Sequence, residues 1–218
     1  MIQKHKISNF KRIFILILLL LLFSSICAFS YINTVSANIS ESVFRLHVLA
    51  NSDTAEDQNL KYKVRDRLIE YMNNLADGYT SKNDVINLAK EYISEFKEVA
   101  KRVVQENGYD YDVNVSIGNF EFPTKTYGDI SLPAGFYDAL KVEIGEAKGQ
   151  NWWCVMFPPL CFVDVTSGIV PDESKELMQE ELSDEEYYLI SEHTPEIKFK
   201  FKLLELFSNM TNTLTAKK

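Results

Sequence analysis

The sequence predicts a single α+β domain, with helices packed on one face of a mainly antiparallel sheet, preceded by an N-terminal signal or anchor helix. Three observations lead to this prediction. The hydrophobic period along residues 38–210 gives strand, helix, helix, strands and helix in that order. The stretch before them is uniformly apolar. No repeat, low-complexity linker or Gly/Pro-rich hinge divides the chain, so one domain is expected.

The N-terminus has the layout of an export signal. Its basic residues are Lys4, Lys6, Lys11 and Arg12. They precede an uncharged apolar run, Ile13–Phe29, and Ala37 ends a possible cleavage site. Because the run is also just long enough to span a membrane, residues 1–37 are predicted to be either a cleaved signal peptide or an anchor. The basic flank stays inside in both cases, so the rest of the chain is expected outside the cytoplasmic membrane.

The charge of the exported part excludes some classes of partner. The whole chain has a formal net charge of −8. Without residues 1–37, which hold four basic and no acidic residues, the net charge is −12. Nucleic acid and anionic lipid both need a basic surface, so neither is expected as a partner of the exported domain. That domain is predicted to span residues 38–210, with a flexible tail at 211–218.

The first half of the domain is predicted to be a strand followed by two helices. Residues Ser42–Asn51 alternate in hydrophobicity, as a strand does. Either Asp53 or Thr54 can cap the helix that follows, which Gly78 ends. A second helix is expected between Ser81 and Gly108, because apolar residues recur along it at helical spacing.

The second half is predicted to be mainly strands. Residues Tyr111–Phe122 alternate, and Gly118-Asn119 within them indicates a turn or bulge, and hence a hairpin. A turn at Pro133–Gly135 leads into a strand at Ala139–Gly145, and Trp152–Phe157 is expected to be another.

The end of the chain returns to helical patterns. Residues Pro171–Ile190 are acidic and predict a surface helix or loop. Thr194 and Pro195 then suit the start of a helix, as N-cap and first helical residue. The inner stripe of this last helix is Ile197, Phe201, Leu204 and Phe207.

Three segments in this order, behind an export signal, resemble the stage II sporulation protein R family. They are RLHVLANSDTAEDQNLKYKVRD (Arg45–Asp66), LPAGFYDALKVEIGEAKGQNWWCVMFPPLCFVD (Leu132–Asp164) and FKFKLLELF (Phe199–Phe207). The run GQNWWC…FPPLC is the most specific part of the resemblance, which covers essentially the whole exported domain.

The resemblance implies a signalling protein of endospore-forming bacteria. Such a protein is made in the forespore and exported across its membrane into the space between forespore and mother cell, where it is secreted or membrane-anchored. There it is needed to activate a membrane-embedded aspartic-type protease, which processes the precursor of the mother-cell sigma factor. The resemblance supplies no catalytic residue, cofactor or metal, and a non-enzymatic protein is therefore expected.

Cys154 and Cys161 are predicted to form a disulfide. If Trp152–Phe157 is extended and Pro158-Pro159 makes a turn, the two sulfurs come within bonding range. An oxidising exterior permits the bond. The alternative is a pair of buried free thiols that act as small apolar side chains.

The candidate contacts with the partner are polar and aromatic residues of the segments Arg45–Asp66 and Leu132–Asp164. They are Arg45, His47, Asn51, Asp53, Lys148, Gln150, Asn151, Trp152 and Trp153. Adjacent tryptophans on a strand point to opposite faces, so one of them can anchor a partner; the alternative is that loops bury both. Arg45 and His47 share a face, and Arg65 and Asp66 could extend it into a polar patch. Asn51 and Asp53 also have a structural explanation as strand-exit and cap residues.

An exported hydrolase and a wall-binding module are the alternative functions. A cysteine nucleophile would need a set such as Cys154, His47 and Asp164, but no local signature supports it. A zinc site would draw on Cys154, Cys161, His47 and His193, and the paired spacings of zinc ligands are absent. Glu143 and Glu146 suggest paired carboxylates for glycan cleavage, although a solvated face explains them better.

Overall fold

The computed structural model describes residues 2–161 and 170–191. The elements in chain order are α1 (Ile2–Ser42), β1 (Phe44–Leu49), α2 (Ala55–Leu75), α3 (Lys82–Glu91), α4 (Ile93–Glu106), β2 (Val113–Phe122), β3 (Lys125–Tyr127), β4 (Ile130–Leu132), β5 (Gly135–Ile144), β6 (Asn151–Phe157), α5 (Asp172–Glu181) and α6 (Asp184–Ser191). The α+β class is thereby confirmed. The chain divides into two compact units, residues 1–38 and 39–218.

The N-terminal unit consists of helix α1, which continues without a break through the possible cleavage site at Ala37. Its segment Lys11–Ser42 is long and apolar enough to cross a membrane. The large side chains of the run Ile13–Phe23 are all at least half exposed. A helix that is apolar on all sides and uncovered by protein suits a lipid environment, so the predicted signal or anchor helix has the expected form.

The second unit is built on a four-stranded sheet with the order β2-β5-β1-β6. The outer pairs, β2 with β5 and β1 with β6, are antiparallel, whereas the central pair of β1 and β5 is parallel. A separate hairpin pairs β3 with β4. The sheet is therefore mainly antiparallel, as predicted, and its parallel centre brings β1 between two strands from the far end of the sequence.

One face of the sheet carries the helices α2, α3 and α4, and the hydrophobic core lies between the two layers. The sheet side of this core comes from alternate residues of neighbouring strands, as the period of two requires. These residues are Phe44, Leu46, Val48, Val113, Leu140, Val142, Ile144, Cys154 and Met156. The opposite face, which carries His47, Lys141, Glu143 and Trp153, is called the outer face below.

Two sequence-based expectations differ from the structure, and one element was not expected. The second helix is two helices, α3 and α4, with the break at Tyr92. No Gly or Pro marks this break, and an apolar stripe does not report a change in the direction of the helix axis. The Gly118-Asn119 pair makes neither a turn nor a bulge, because β2 pairs with β5 in one register throughout. Gly118 instead makes room for the Phe120 ring, which a Cβ there would approach to 3.3 Å. The β3–β4 hairpin was not predicted.

The acidic segment forms the helices α5 and α6, and the first of them is joined to the β3–β4 hairpin and the Pro159 turn. Lys175 makes an ion pair of 2.6 Å with Asp129, and the Ser174 hydroxyl donates to the Pro159 carbonyl at 2.8 Å. The predicted C-terminal helix from Thr194 and the tail at 211–218 lie outside the described residues, as do His193 and Asp164.

Candidate partner-contact surface

The centre of the outer face is a stack of two rings on neighbouring strands. His47 on β1 lies opposite Trp153 on β6, and the two rings are nearly parallel with centroids 5.7 Å apart. His47 Nε2 is 2.7 Å from Asn151 Oδ1, and the Lys125 ammonium lies 4.7 Å from the centroid of the Trp153 ring. Both rings are half-buried and no helix among the described residues covers them. The surface therefore presents aromatic area beside a cation, the combination that protein-binding sites favour.

Burial lowers the pKa of His47 below its usual value, although the hydrogen bond with Asn151 acts in the opposite direction. The positive charges of Lys141 and Arg45 lower the pKa of His47 further, whereas the negative charge of Glu143 raises it. Neutral imidazole is consequently favoured at neutral pH. The outer face thus carries a neutral ring stack next to the charge of Lys125.

Arg45 lies two residues before His47 on the same face of β1 and does not reach the surface. It is 0% exposed. Its guanidinium packs over the rings of Phe122 and Tyr137, at 4.1 and 4.6 Å from their centroids. Arg45 Nη2 donates to the Tyr127 hydroxyl at 2.7 Å, and that hydroxyl donates to the Trp153 carbonyl at 3.1 Å. Arg45 therefore fixes the backbone under Trp153 and is placed to position the surface, not to touch a partner.

The two tryptophans lie on opposite faces of the sheet, as expected. Trp152 packs on the helix side, where the Arg65 guanidinium lies 4.2 Å from its ring centroid and Tyr62 meets it edge to face. The expectation that Arg65 and Asp66 extend the patch around Arg45 and His47 is wrong. Helix α2 holds Arg65 against the other side of the sheet, where its guanidinium packs on Trp152.

Two loops that are distant in sequence form one hydrogen-bonded unit at the end of the sheet, here called the loop junction (residues 50–57 and 145–151). The Gly149 amide donates to the Ala50 carbonyl at 2.9 Å, and the Gln150 amide donates to Asp53 Oδ1 at 2.6 Å. Asn51 Oδ1 accepts from the Glu146 amide at 3.0 Å. A Cβ on Gly149 would lie 2.2 Å from the Ser52 carbonyl oxygen, so only glycine allows this close approach.

Asp57 anchors the loop junction to helix α2. Its carboxylate accepts from Ser52 Oγ at 2.6 Å and from Asn51 Nδ2 at 2.8 Å. Burial would raise the pKa of Asp57, but these hydrogen bonds and one from Tyr111 outweigh it and lower the pKa. Thr54 is the N-cap, and its hydroxyl accepts from the Asp57 amide, which is one of the two predicted caps. Asn51 and Asp53 thus have structural roles in the loop junction.

Lys61 reaches the loop junction from inside α2. It is 1% exposed, and its ammonium donates to the Gln150 carbonyl at 2.9 Å and to Gln58 Oε1. Burial lowers its pKa. The remaining candidates of this loop lie outward: Lys148, Gln150 and Asn151 have exposed side chains, and Lys148 pairs with Glu146 at 2.8 Å. The structure accordingly brings Asn151 together with His47 and Trp153, and leaves Lys148 at the rim.

A disulfide joins Cys154 and Cys161 across the turn at Pro158-Pro159, as predicted. The Phe157–Pro158 peptide is cis, and the Leu160 amide donates to the Val155 carbonyl at 3.1 Å. The bond also decides the question of a cysteine nucleophile. Cys154 is bonded and buried on the helix side, whereas His47 points to the outer face, so the two do not form a catalytic pair.

The candidate carboxylates are ion-paired. Glu143 accepts from Lys141 at 2.6 Å and from Asn114 at 3.0 Å, and these hydrogen bonds lower its pKa. The hydrogen bond from Lys148 lowers the pKa of Glu146. A general acid for glycoside cleavage needs a raised pKa, and neither carboxyl group has one. Within residues 2–161 and 170–191, no three His, Cys, Asp or Glu side chains are grouped to hold a metal ion.

Two residues that shape the surface, Lys61 and Tyr127, were not among the candidates. Lys61 lies at helical spacing between Asp57 and Val64, both of which are buried, so the spacing alone could have placed it on the inner face. Tyr127 belongs to a three-residue strand, and no pattern in so short a segment indicates its contact with Arg45.

The residues of this surface lie in the part of the chain that matches a known protein family. The family model described as stage II sporulation protein R (spore_II_R) matches residues 40–167. The chain is 36% identical over 138 residues to stage II sporulation protein R of Bacillus subtilis (strain 168), which is 63% of this chain and 62% of the relative. The chain thus matches a little under two thirds of that relative's length. No solved structure matches the chain.

Proposed function

The chain belongs to the stage II sporulation protein R family, and from this premise we propose that it is an exported signal of endospore formation. It activates, by binding, a membrane-embedded aspartic-type protease that processes the precursor of the mother-cell sigma factor. Export places it in the space between forespore and mother cell, where the apolar helix α1 is either removed or holds it at the membrane.

The observation that carries a binding role is the ring stack of His47 and Trp153 on the outer face. A partly exposed tryptophan beside a lysine gives a partner apolar area and a cation–π contact at one point. Nothing in the core requires this tryptophan on the side away from the helices. The buried Arg45–Tyr127 contact and the disulfide on the same strand fix its backbone, which reduces the entropy lost on binding.

Activation follows from binding if the signal prefers the active arrangement of the protease. The shift in that equilibrium equals the difference between the free energies of binding to the two arrangements. For a switch from nearly inactive to nearly active, the affinities must differ by about 10⁴-fold. A rigid contact surface suits this requirement, because a flexible one adapts to both arrangements.

The pair of tryptophans supplies a matched test. Full-length chain is added to membranes that hold the protease and its precursor substrate, and cleavage is followed by gel. Trp153→Ala is expected to lower the rate at a fixed concentration by at least about tenfold, the usual effect of removing a central tryptophan. Trp152→Ala is the control, since it removes the same side chain from the opposite face, and it is expected to reduce stability instead.

Cleavage that never begins with the wild-type chain would refute the proposed function. Cleavage that proceeds equally with both variants, at equal concentrations of folded chain, would leave a binding signal in place but exclude the ring stack as its contact. His47→Ala and Asn151→Ala extend the same comparison to the neighbours of Trp153.

A further inference from the structure

Strand β2 is an edge of the sheet, and within residues 2–161 and 170–191 its outer side has no partner strand. The Gly145 amide donates to the Asp112 carbonyl at 2.8 Å, which fixes the phase of the β2–β5 ladder. Because hydrogen-bonded and non-hydrogen-bonded pairs alternate in an antiparallel ladder, the odd-numbered residues of β2 turn both their N–H and C=O away from β5. These residues are Val113, Val115, Ile117, Asn119 and Glu121. Within the described residues no strand pairs with them.

The opposite edge of the same sheet is closed. In β6 the residues that turn outward include Trp153 and Val155, by the same alternation against β1. The Trp153 carbonyl accepts from the Tyr127 hydroxyl, and the Val155 carbonyl accepts from the Leu160 amide. The protein therefore blocks strand addition at β6 with its own hairpin and turn.

Strand β2 lacks the devices that protect an edge. Soluble proteins protect exposed edges with short strands, lysine, proline or bulges. In contrast, β2 has 10 residues, contains no Lys or Pro, and keeps one register with β5 from end to end. Glu121 is its single charged residue. An edge of this length, left open while the other is closed, is a ready template for another strand.

We propose that the outer edge of β2 binds an extended segment of a protein partner by strand addition. The backbone of that segment pairs with Val115, Ile117 and Asn119. On the helix side, Val115 and Ile117 are partly buried and border the hydrophobic core, so every second side chain of the added strand extends this apolar surface. Residues at the alternate positions face the side of Asn114 and Ser116, and there the segment is polar.

Charge distinguishes a partner from a second copy of this chain. Acidic residues lie at both ends of the edge, Asp110 and Asp112 before it and Glu121 near its end, and all three are exposed. A bound strand with basic residues toward its ends complements them. In a two-fold β2–β2 pair centred on Ile117, Glu121 of one copy would lie opposite Val113 of the other, and β2 has no basic side chain to face it. The net charge of −8 on each copy adds a repulsion between them.

The strand site stands independently of the ring stack, and only the identification of its partner as the protease rests on the proposed function. The decisive probe is therefore a synthetic peptide that alternates valine and threonine and carries a lysine at each end. Its matched control is the same peptide with an N-methyl group on every backbone amide, which cannot donate along either edge. Both are added to the full-length chain in detergent micelles.

Amide hydrogen exchange gives the first readout. The outward amides of Val115, Ile117 and Asn119 are expected to exchange rapidly in the free chain and to slow at least about tenfold when the unmodified peptide is bound. The amides of Asn114 and Ser116, which pair with β5, serve as an internal reference. The N-methylated peptide is expected to change neither group.

A substitution in the strand gives the second readout. Asn119→Pro removes an outward N–H and leaves the bonds to β5 in place, which an edge strand tolerates. It is expected to weaken peptide binding about tenfold, the effect of one lost hydrogen bond. Asn119→Ala retains the N–H and loses the same side-chain contact with Asp138, so it isolates the backbone contribution and is expected to bind as the wild type does.

Binding that survives both N-methylation and Asn119→Pro would overturn the proposal, as would outward amides that stay unprotected by the peptide. Outward amides already protected in a dimeric free chain would also overturn it, in favour of a second copy. In a parallel experiment, membranes with the protease replace the peptide. If the peptide protects β2 and these membranes do not, the strand site is upheld and the proposed partner is wrong.

Discussion

At the scale of single residues, the most unusual feature is Arg45, because its charged guanidinium is fully buried. It is buried among aromatic rings, and no described carboxylate pairs with it. Two of its nitrogens, Nε and Nη1, have no hydrogen-bond partner among residues 2–161 and 170–191. A buried ion without a counter-ion contributes little to stability, since the loss of hydration offsets its contacts. Arg45 therefore serves to hold Tyr127, and through it the backbone of Trp153.

Substitutions at the two ends of this contact are expected to differ in effect. Arg45→Met should change the free energy of unfolding by less than about 1.5 kcal/mol, because an apolar side chain of similar length replaces an unpaired ion. Tyr127→Phe should cost about 1–3 kcal/mol, since it leaves buried donors of Arg45 and the Trp153 carbonyl unpaired. Urea denaturation measures both. A larger loss of stability for Arg45→Met than for Tyr127→Phe would contradict this account of the Arg45–Tyr127 contact.

His47 predicts a pH dependence of stability. Burial lowers its pKa, so the unfolded chain binds more protons at this group than the folded one does. The stabilisation is complete above the unfolded pKa of about 6.5 and decreases as the pH falls below it. His47→Gln keeps a polar side chain and removes the titration. The difference in the free energy of unfolding between wild type and His47→Gln should shrink from pH 8 to pH 5, and a constant difference would refute the prediction.

At the scale of elements, the loop junction joins two of the segments that carry the family resemblance, Arg45–Asp66 and Leu132–Asp164. The loop after β1 and the loop before β6 are held by the bonds of Gly149 and Gln150 to Ala50 and Asp53, with Lys61 donating to the Gln150 carbonyl from α2. The family match at residues 40–167 covers both loops. Asn51 and Asp53, which are candidates for a partner contact, also have the structural role that the sequence offered them, in joining β1, α2 and β6.

A methyl group at Gly149 tests whether the loop junction depends on close backbone approach. Gly149→Ala would bring a Cβ to 2.2 Å from the Ser52 carbonyl oxygen, and the backbone would have to move. We expect a loss of about 1–3 kcal/mol in the free energy of unfolding, as for other overpacked sites. Gly135→Ala is the control, because its Cβ meets only Tyr137 at 3.7 Å. Equal effects of the two substitutions would exclude the steric explanation.

At the scale of the whole molecule, a basic apolar helix precedes an acidic body. Residues 1–37 hold four basic residues and the rest of the chain has a net charge of −12. For a membrane-inserted chain, the four Lys and Arg residues before the apolar run favour the orientation with the N-terminus inside. The disulfide between Cys154 and Cys161 agrees with that orientation, since such bonds persist outside the cytoplasm and are rare within it.

The oxidation state of the cysteine pair is therefore expected to report export. In sporulating cells that carry the Cys27→Ser variant, which removes the remaining thiol, Cys154 and Cys161 should resist alkylation until a reductant is added. Deletion of the apolar run 13–29 should keep the chain in the cytoplasm, with both thiols alkylated at once. Thiols that react equally in the two strains would show that the body is not exported.

The sequence by itself determined the apolar N-terminal helix and the α+β class; it also narrowed the helix cap to Asp53 or Thr54 and favoured the disulfide over two free thiols. Each follows from residues close together in the chain, through hydrophobic period, cap chemistry or the reach of a short loop. Only the tertiary structure decided the parallel pairing of β1 with β5, the break at Tyr92, the burial of Arg45 and Lys61, and the open edge of β2. These features depend on contacts between segments that are far apart in the sequence, so no local sequence pattern predicts them.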